Sequence, residues 1–171
     1  MSAFYYLDTD LMKKMCHPLA VTFLNRNNEP IPLFPTCNKS VLDACLNLPK
    51  ATFGGKELYP DLVSKAAILY YSLIKNHPFI NGNKRIATTS LIVFLFINNY
   101  WLDIGQNFLY GLALEVAQSE RENMDKVKNM LEQKIKEHAT SLKVVTKGNS
   151  NVGFFFHLEN LKRNLKKLFG K

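Results

Sequence analysis

Cysteine and long apolar segments are both scarce in this chain. Cys16, Cys37 and Cys45 are its only cysteines, and none belongs to a CxxC pair. An odd number without that spacing argues against a disulfide framework or a zinc site, and is typical of reduced thiols in a cytoplasm. The longest unbroken apolar run, Leu91 to Ile97, has seven residues, too few to span a bilayer. The first residues lack the basic flank and apolar stretch of a signal peptide, so a cytoplasmic protein without a membrane segment is expected.

Acidic residues are also few: 14 Asp and Glu stand against 22 Lys and Arg, which gives a net charge of +8. The excess is concentrated in residues 159–171, where five cations accompany one glutamate. A basic helix end is more often a solvated face, or a dock for an acidic partner, than an element that binds nucleic acid. Nucleic acid is therefore not the expected main partner, although an RNA-binding protein stays an alternative that a steep salt dependence would reveal.

Apolar residues recur with helical spacing along most of the chain, and 171 residues, 47% of them hydrophobic, suffice for one domain with its own core. The predicted helices cover residues 7–15, 40–48, 60–75, 83–97, 108–120 and 124–138, with a basic helical extension at about 152–171. His17 and Pro18 are expected to end the first helix, and Ser40 to cap the second. The predicted fold class is thus all-α, a single domain over residues 1–171 with one small β element.

The small β element is expected at five consecutive residues: Thr52, Phe53, Gly54, Gly55 and Lys56. Adjacent glycines permit the positive φ angles that a two-residue hairpin turn needs. The segment therefore predicts a tight turn or a short hairpin just before the helix at 60–75.

The nine residues from His77 to Arg85 join the helices predicted at 60–75 and 83–97. They bring together an imidazole, a glycine turn, two carboxamides and two adjacent cations. Lys84 and Arg85 fall where the second helix begins, and a helix N-terminus already carries partial positive charge. Two cations at that end are unfavourable unless an anion joins them, so the pattern predicts a bound phosphate beside a titratable imidazole.

The same loop resembles a known signature. His-Pro-Phe-Ile-Asn-Gly-Asn-Lys-Arg at 77–85 is similar to the pattern H-P-F-x-[DEN]-[GA]-N-[GK]-R of the Fic/Doc superfamily. The resemblance extends over a core motif region, residues 40–102, in which residues 51–60 are similar to the target-docking flap of the family. It implies a compact, all-α Fic/Doc-type bundle with a small hairpin flap, in which residues 52–56 would dock the target protein.

The resemblance also implies roles for individual residues of the loop. His77 would be the general base that takes a proton from the target hydroxyl. Asn83 and the backbone N–H groups around Gly82 would form the anion hole, and Arg85 would hold a further phosphate with its rigid donor fork. Pro78 would stiffen the loop, and Phe79 would anchor it in the core.

Position 84 bears on the reaction that this loop would catalyse. Family members that transfer AMP usually have glycine there, whereas the death-on-curing toxins carry lysine, as this chain does at Lys84, and act as protein kinases. A lysine fills volume that the polyphosphate tail would need and offers a cation to a transferring phosphoryl group. Thr88 stands where adenylylating members have a second arginine. The resemblance therefore implies an ATP-dependent kinase toxin that phosphorylates a hydroxyl of Ser, Thr or Tyr in a protein.

Asn81 departs from the family pattern, which has an acidic Mg²⁺ ligand at this position in most members. A carboxamide oxygen can coordinate Mg²⁺ but brings no charge. Metal affinity would then rest more on the nucleotide itself, and turnover would be slow. Asn81 is the candidate metal ligand, and the implied cofactors are ATP and Mg²⁺.

Two protein partners follow from the resemblance. The chain lacks the inhibitory motif [ST]-x-x-x-E-[GN] of many Fic proteins, so control by a small antitoxin protein is expected instead. The substrate would be a protein of the translation machinery, such as an elongation-factor-Tu-like protein. Two other functions stay open: an AMP or other NMP transferase on the same scaffold, and a catalytically weak module that binds nucleotide.

Overall fold

The computed structural model describes residues 4–142, 161–163 and 166. In this part of the chain the helices are α1 (Thr9–Leu11), α2 (His17–Leu24), α3 (Lys39–Asn47), α4 (Leu62–Lys75), α5 (Asn83–Ile97), α6 (Gln106–Gln118) and α7 (Met124–His138). Its strands are β1 (Thr52–Phe53), β2 (Lys56–Glu57), β3 (Tyr100–Leu102) and β4 (Ala139–Ser141). The predicted all-α class is confirmed. The basic extension predicted at about 152–171 lies outside the described residues, apart from 161–163 and 166, which are helical.

The central helix of the fold is α5, and α4 packs along it. Every residue from Ile86 to Phe96 is at most 6% exposed, because apolar side chains surround this helix on all sides. The connection from Lys75 to Asn83 is short, so the two helices run antiparallel and the end of α4 lies beside the start of α5. Neither α5 nor any other helix of the described residues combines the length and apolar character needed to cross a membrane.

The first helical segment continues through the point where it was predicted to end. A π-helical turn, Met12–Cys16, joins α1 to α2. Proline has no N–H, and its ring clashes with the carbonyl of residue i−4 in a regular helix. The widened turn lies directly before His17 and Pro18 and relieves this clash. The predicted helix end at these two residues is therefore wrong.

Asn38 caps α3 in place of Ser40. Its Oδ1 accepts hydrogen bonds from the backbone N–H of Val41 at 3.2 Å and from the Ser40 hydroxyl at 2.8 Å. The two residue types are comparable as caps, and tertiary structure decides between them. The N–H of Asn38 donates to the carbonyl of Pro78 at 2.8 Å, which ties the start of α3 to the loop after α4.

The predicted hairpin is present as β1 and β2. Gly54 and Gly55 have φ angles of 56° and 76°, as a two-residue turn with two left-handed residues requires. Glu57 holds the hairpin on the start of α4, because its Oε2 lies 3.2 Å from Nζ of the fully buried Lys65. The hairpin itself is exposed, and the Phe53 side chain is 80% exposed.

A second antiparallel ladder was not predicted from the sequence. β3 follows α5 and pairs with β4, which follows α7, in the register Tyr100 to Ser141 and Leu102 to Ala139. The backbone N–H of Leu142 extends the connection by donating to the carbonyl of Asn99 at 2.8 Å. This ladder joins the ends of α5 and α7 on the side of the fold away from the loop between α4 and α5.

Candidate functional site

The loop between α4 and α5 turns at Gly82. This residue is the N-cap of α5 and has a φ of 78°, in the left-handed region that glycine adopts without steric cost. Ile31 packs against the turn so closely that a β-carbon at residue 82 would lie 3.0 Å from Ile31 Cγ1. The turn therefore needs glycine for two independent reasons, its backbone conformation and its close packing.

The side chain of Asn83 holds the loop in shape. Its Oδ1 accepts a hydrogen bond from the N–H of Phe79 at 2.9 Å, and its Nδ2 donates to the carbonyl of Phe79 at 2.7 Å. The residue is 8% exposed. Because both ends of the carboxamide are bonded to the loop backbone, the side chain is not directed at a phosphate. In the predicted anion hole, Asn83 would therefore contribute its backbone N–H and not its side chain.

His77 combines an unusual backbone with an exposed side chain. Its φ is 48°, in a region that residues other than glycine adopt infrequently. Its Nδ1 lies 3.4 Å from Nδ2 of Asn83, a long and weak contact. Strained residues cluster at sites with a chemical role, which makes His77 a candidate for one.

Phe79 and Pro78 anchor the loop in the core. Phe79 is 2% exposed, and the centroid of its ring lies 5.8 Å from the His17 ring and 5.9 Å from the Phe34 ring. Aromatic pairs at such separations stabilise a core beyond the area they bury. Pro78 is buried, and its carbonyl accepts the hydrogen bond from Asn38.

The first turn of α5 leaves backbone donors available. The first bond of the helix runs from the N–H of Ile86 to the carbonyl of Gly82, at 2.9 Å. The N–H groups of the three preceding residues, 83–85, have no hydrogen-bond partner among the described residues. The N–H of Gly82 is already used, since it donates to Oδ1 of Asn81 at 2.6 Å. An anion cradle here would therefore consist of the N–H groups at 83–85 rather than that of Gly82.

The Arg85 side chain lines the same cleft as this cradle and contacts the turn at residues 25–29. Its guanidinium donates to the carbonyl of Glu29 at 2.6 Å, and its Nη2 lies 3.9 Å from Oε2 of the same residue. Burial lowers the pKa of the Arg85 guanidinium, the Glu29 carboxylate raises it, and the nearby charge of Arg26 lowers it further. Lys84, on the next face of the helix, is exposed.

These residues line one cleft of about 860 Å³. The loop and the start of α5 form its floor, the turn at residues 25–29 forms one wall, and α6 forms another. Six residues of the predicted site line it: His77, Asn81, Gly82, Asn83, Lys84 and Arg85. An exposed imidazole, free backbone donors and two cations therefore open into the same space, which suits a phosphate ester beside a base.

The sequence profile of the Fic/DOC family matches residues 6–95, which is 90 of the 171 residues. The chain belongs to the Fic/DOC family. Among curated proteins, Toxin Doc of Mycolicibacterium smegmatis is 45% identical over 62 residues, which cover 36% of this chain and 48% of that protein. The chain thus matches about half the length of this relative. No solved structure matches the chain significantly.

The five hairpin residues that the sequence of this Fic/DOC protein predicted to dock a target do not line the cleft. They are Thr52, Phe53, Gly54, Gly55 and Lys56. The hairpin is fixed by Glu57 to Lys65, in the first turn of α4. His77 follows the other end of that helix, which has 14 residues and a length of about 21 Å. Contact of the hairpin with a target stays a prediction.

A magnesium site is poorly supported by this Fic/DOC chain. Asn81 offers a single uncharged oxygen, which already accepts the hydrogen bond from Gly82, whereas Mg²⁺ prefers six oxygen ligands in an octahedron. The described residues contain no group of three or more His, Cys, Asp or Glu side chains that could hold a metal ion. The residues present do not fit a protein-held Mg²⁺, and Asn81 as a ligand stays a prediction.

Several residues that line the cleft were not predicted from the sequence, among them Arg26, Glu29 and Tyr110. Arg26 and Glu29 belong to the turn at residues 25–29, which lies between the helices predicted at 7–15 and 40–48, and Tyr110 belongs to α6. No local pattern marks them, because their closeness to the signature loop of this Fic/DOC protein arises from tertiary packing. The sequence around Arg26 and Glu29, Arg-Asn-Asn-Glu followed by a proline-rich stretch, is typical of an exposed turn but indicates no ligand.

Proposed function

We propose that this protein transfers the γ-phosphoryl group of ATP to a hydroxyl of another protein. The observation that carries the proposal is that His77, the free N–H groups at residues 83–85 and the Arg85 side chain line one cleft. A helix N-terminus with unsatisfied donors binds phosphate. An imidazole has an ordinary pKa near neutral pH and serves as a general base there.

The proposed reaction balances as follows. The target hydroxyl oxygen forms a bond to the γ-phosphorus, the bond from that phosphorus to the β,γ-bridging oxygen breaks, and ADP leaves. The hydroxyl proton passes to the imidazole of His77, which later releases it to water. Negative charge on the transferring group is stabilised by the backbone donors at 83–85 and by the side chains of Lys84 and Arg85.

Two features of α5 favour phosphoryl over nucleotidyl transfer. Lys84 is exposed at the start of the helix, where its ammonium can reach a transferring group. Thr88, one turn further, donates its hydroxyl to the carbonyl of Lys84 at 2.8 Å and is 6% exposed. The second turn of the helix therefore offers no cation for a polyphosphate tail lying in the orientation used by adenylylating members.

A toxin role is part of the proposal. The support is the 45% identity, over 62 residues of this chain, to a protein named Toxin Doc. We propose that the target is a protein of the translation machinery, such as an elongation-factor-Tu-like protein, and that a small antitoxin protein controls the activity.

The experiment that tests the proposal follows the label from ATP. Target protein is incubated with the full chain and ATP labelled at either the γ or the α position, and its intact mass is then measured. We expect label from the γ position and the mass increase of one phosphate. His77→Ala should lower the rate by roughly 10²- to 10⁴-fold. His138→Ala removes the imidazole at the end of α7, which packs beside Phe108 of α6, and should leave the rate unchanged.

Two lysine exchanges test whether the charge at the start of α5 contributes to the transfer. Lys84→Met should lower phosphoryl transfer by about tenfold or more, since a charge-assisted contact contributes roughly 1.5–3 kcal/mol. Lys126→Met, an exposed lysine on α7, is the control and should change nothing. Label from the α position, with the mass of one nucleotide, would instead identify an AMP or other NMP transferase.

A catalytically weak nucleotide-binding module is the second candidate. The observation in its favour is Asn81, whose side chain brings no charge to the cleft and is bonded to Gly82. Under that hypothesis the full chain binds ATP, but no label reaches any target and His77→Ala has no effect.

A further inference from the structure

A turn before the signature loop presents Arg26 to the cleft. The N–H of Glu29 donates to the carbonyl of Arg26 at 3.1 Å, and the N–H of Ile31 donates to Oδ1 of Asn25 at 2.8 Å. These two bonds fix the backbone on both sides of the turn. The backbone of Arg26 therefore has a defined position, although the side chain is exposed.

Two contacts attach this turn to the signature loop. Arg85 donates to the carbonyl of Glu29 at 2.6 Å, and Ile31 packs against Gly82. The turn and the start of α5 therefore form one unit. A ligand held by the first turn of α5 would meet the Arg26 side chain on the neighbouring wall.

Tyr110 on α6 restrains the guanidinium of Arg26. The carbon Cζ of Arg26 lies 5.3 Å from the centroid of the Tyr110 ring, within the range of a cation–π interaction. Tyr110 is 48% exposed and lines the cleft. A guanidinium on a ring face keeps its N–H donors at the edge, where they can bond to an anion.

The charge in the cleft is unbalanced. Its lining carries three cations, Arg26, Lys84 and Arg85, and a single carboxylate, Glu29. Arg26 also acts on Arg85, since its charge helps to lower the pKa of that guanidinium. Like charges gathered in a cleft destabilise it until an anion enters, and a polyphosphate carries enough charge to pair with all three.

We infer that Arg26, positioned by Tyr110, forms a second phosphate subsite that takes another phosphate of the nucleoside polyphosphate bound at the start of α5. The inference rests on the proposed nucleotide-dependent function. It assigns to a separate turn of the chain the guanidinium that α5 lacks at Thr88. Arg26 is the binding residue, and Tyr110 is a positioning residue.

The test compares polyphosphate with monophosphate on the full chain. Binding of ATP and of AMP is measured by calorimetry for the wild type, Arg26→Ala, Arg85→Ala and the control Arg121→Ala, an exposed arginine outside the cleft lining. Arg26→Ala should weaken ATP binding by about tenfold and AMP binding by less than about twofold. Arg121→Ala should bind both like the wild type.

Exchanges at Tyr110 test the positioning role. Tyr110→Leu should weaken ATP binding by about two- to fivefold, as expected for an exposed cation–π contact. Tyr110→Phe keeps the ring and should bind ATP like the wild type. A loss in Tyr110→Phe as large as in Tyr110→Leu would overturn the positioning role of the ring.

The outcomes separate this inference from the proposed function. If Arg85→Ala weakens ATP binding but Arg26→Ala does not, the second subsite is wrong and the proposed function stands. If Arg26→Ala weakens ATP and AMP equally, Arg26 contacts the part that both ligands share and the second subsite is again wrong. If the wild type binds neither ligand, the proposed function and the subsite fail together.

Discussion

Ile31 leaves no room for a side chain on Gly82. A β-carbon at residue 82 would lie 3.0 Å from Ile31 Cγ1 and 3.5 Å from its Cγ2. The contact joins the turn at residues 25–31 to the loop that carries His77. The positions of Arg26 and of the signature loop thus depend on one glycine.

Gly82→Ala should destabilise the protein by about 1–2 kcal/mol, because the added methyl group meets Ile31 and the φ of 78° is unfavourable for alanine. Urea denaturation measures the change in the free energy of unfolding. Gly111→Ala is the matched control, since this glycine lies in α6 with nothing within 4 Å of its β position. That change should stabilise by roughly 0.5–1 kcal/mol. Equal effects of the two exchanges would contradict the packing argument.

Asn83→Asp should distort the signature loop with almost no change in volume. A carboxylate can still accept from the N–H of Phe79, but it cannot donate to the Phe79 carbonyl, which then faces a negative oxygen. We expect a loss of about 1–3 kcal/mol in stability. Asn107→Asp, on an exposed asparagine in the first turn of α6, should stay within about 0.5 kcal/mol of the wild type. Thermal and urea unfolding measure the stability of both variants. Wild-type stability of Asn83→Asp would show that the two hydrogen bonds of Asn83 with Phe79 do not hold the loop in shape.

Glu57→Ala should destabilise the fold through the buried Lys65. The ammonium of Lys65 is 0% exposed and would keep one polar partner, the carbonyl of Pro49 at 3.2 Å. Because Glu57 is half-exposed, we expect about 1–3 kcal/mol, below the cost for a fully buried pair. Glu132→Ala breaks the i,i+4 pair with Lys128 on α7 and should cost at most about 0.5 kcal/mol. A similar loss in the two variants would mean that burial of Lys65 carries no special cost.

Two of the three cysteines, Cys16 and Cys37, should differ sharply in reactivity. Burial raises the pKa of the Cys16 thiol to about 12, so roughly one molecule in 10⁴ carries the thiolate at pH 8. Burial also raises the pKa of the Cys37 thiol, but this residue is only half-buried. Iodoacetamide at pH 8 should therefore label Cys37 first and Cys16 only after unfolding in urea. Peptide mass mapping checks the order, and rapid labelling of native Cys16 would show that its site opens.

Features decided by neighbouring residues were predictable from the sequence. The start of α5 at Asn83 follows from the glycine just before it, and the hairpin follows from Gly54 and Gly55, whose positive φ angles permit a two-residue turn. The buried character of α5 follows from its unbroken apolar run. In each case the energy that decides the structure acts within a few positions along the chain.

Features decided by distant residues were not predictable. The pairing of Tyr100 with Ser141 joins strands whose short sequences carry no clear alternation. Arg26 meets Tyr110 and the start of α5 only after the helices pack. The sequence thus predicted the loop and the start of α5 as part of the site, but not the turn at residues 25–29 or α6.

The hairpin at the far end of α4 bears on the shape of any target. A partner that bound the exposed Phe53 ring and also offered a hydroxyl to His77 would have to reach from the hairpin, attached at Lys65, past the end of α4 at Lys75, a helical rise of about 15 Å. An extended peptide crosses that rise with roughly four or five residues. Recognition would then be bipartite, with the anchor point and the modified residue separated by a fixed number of residues in the target.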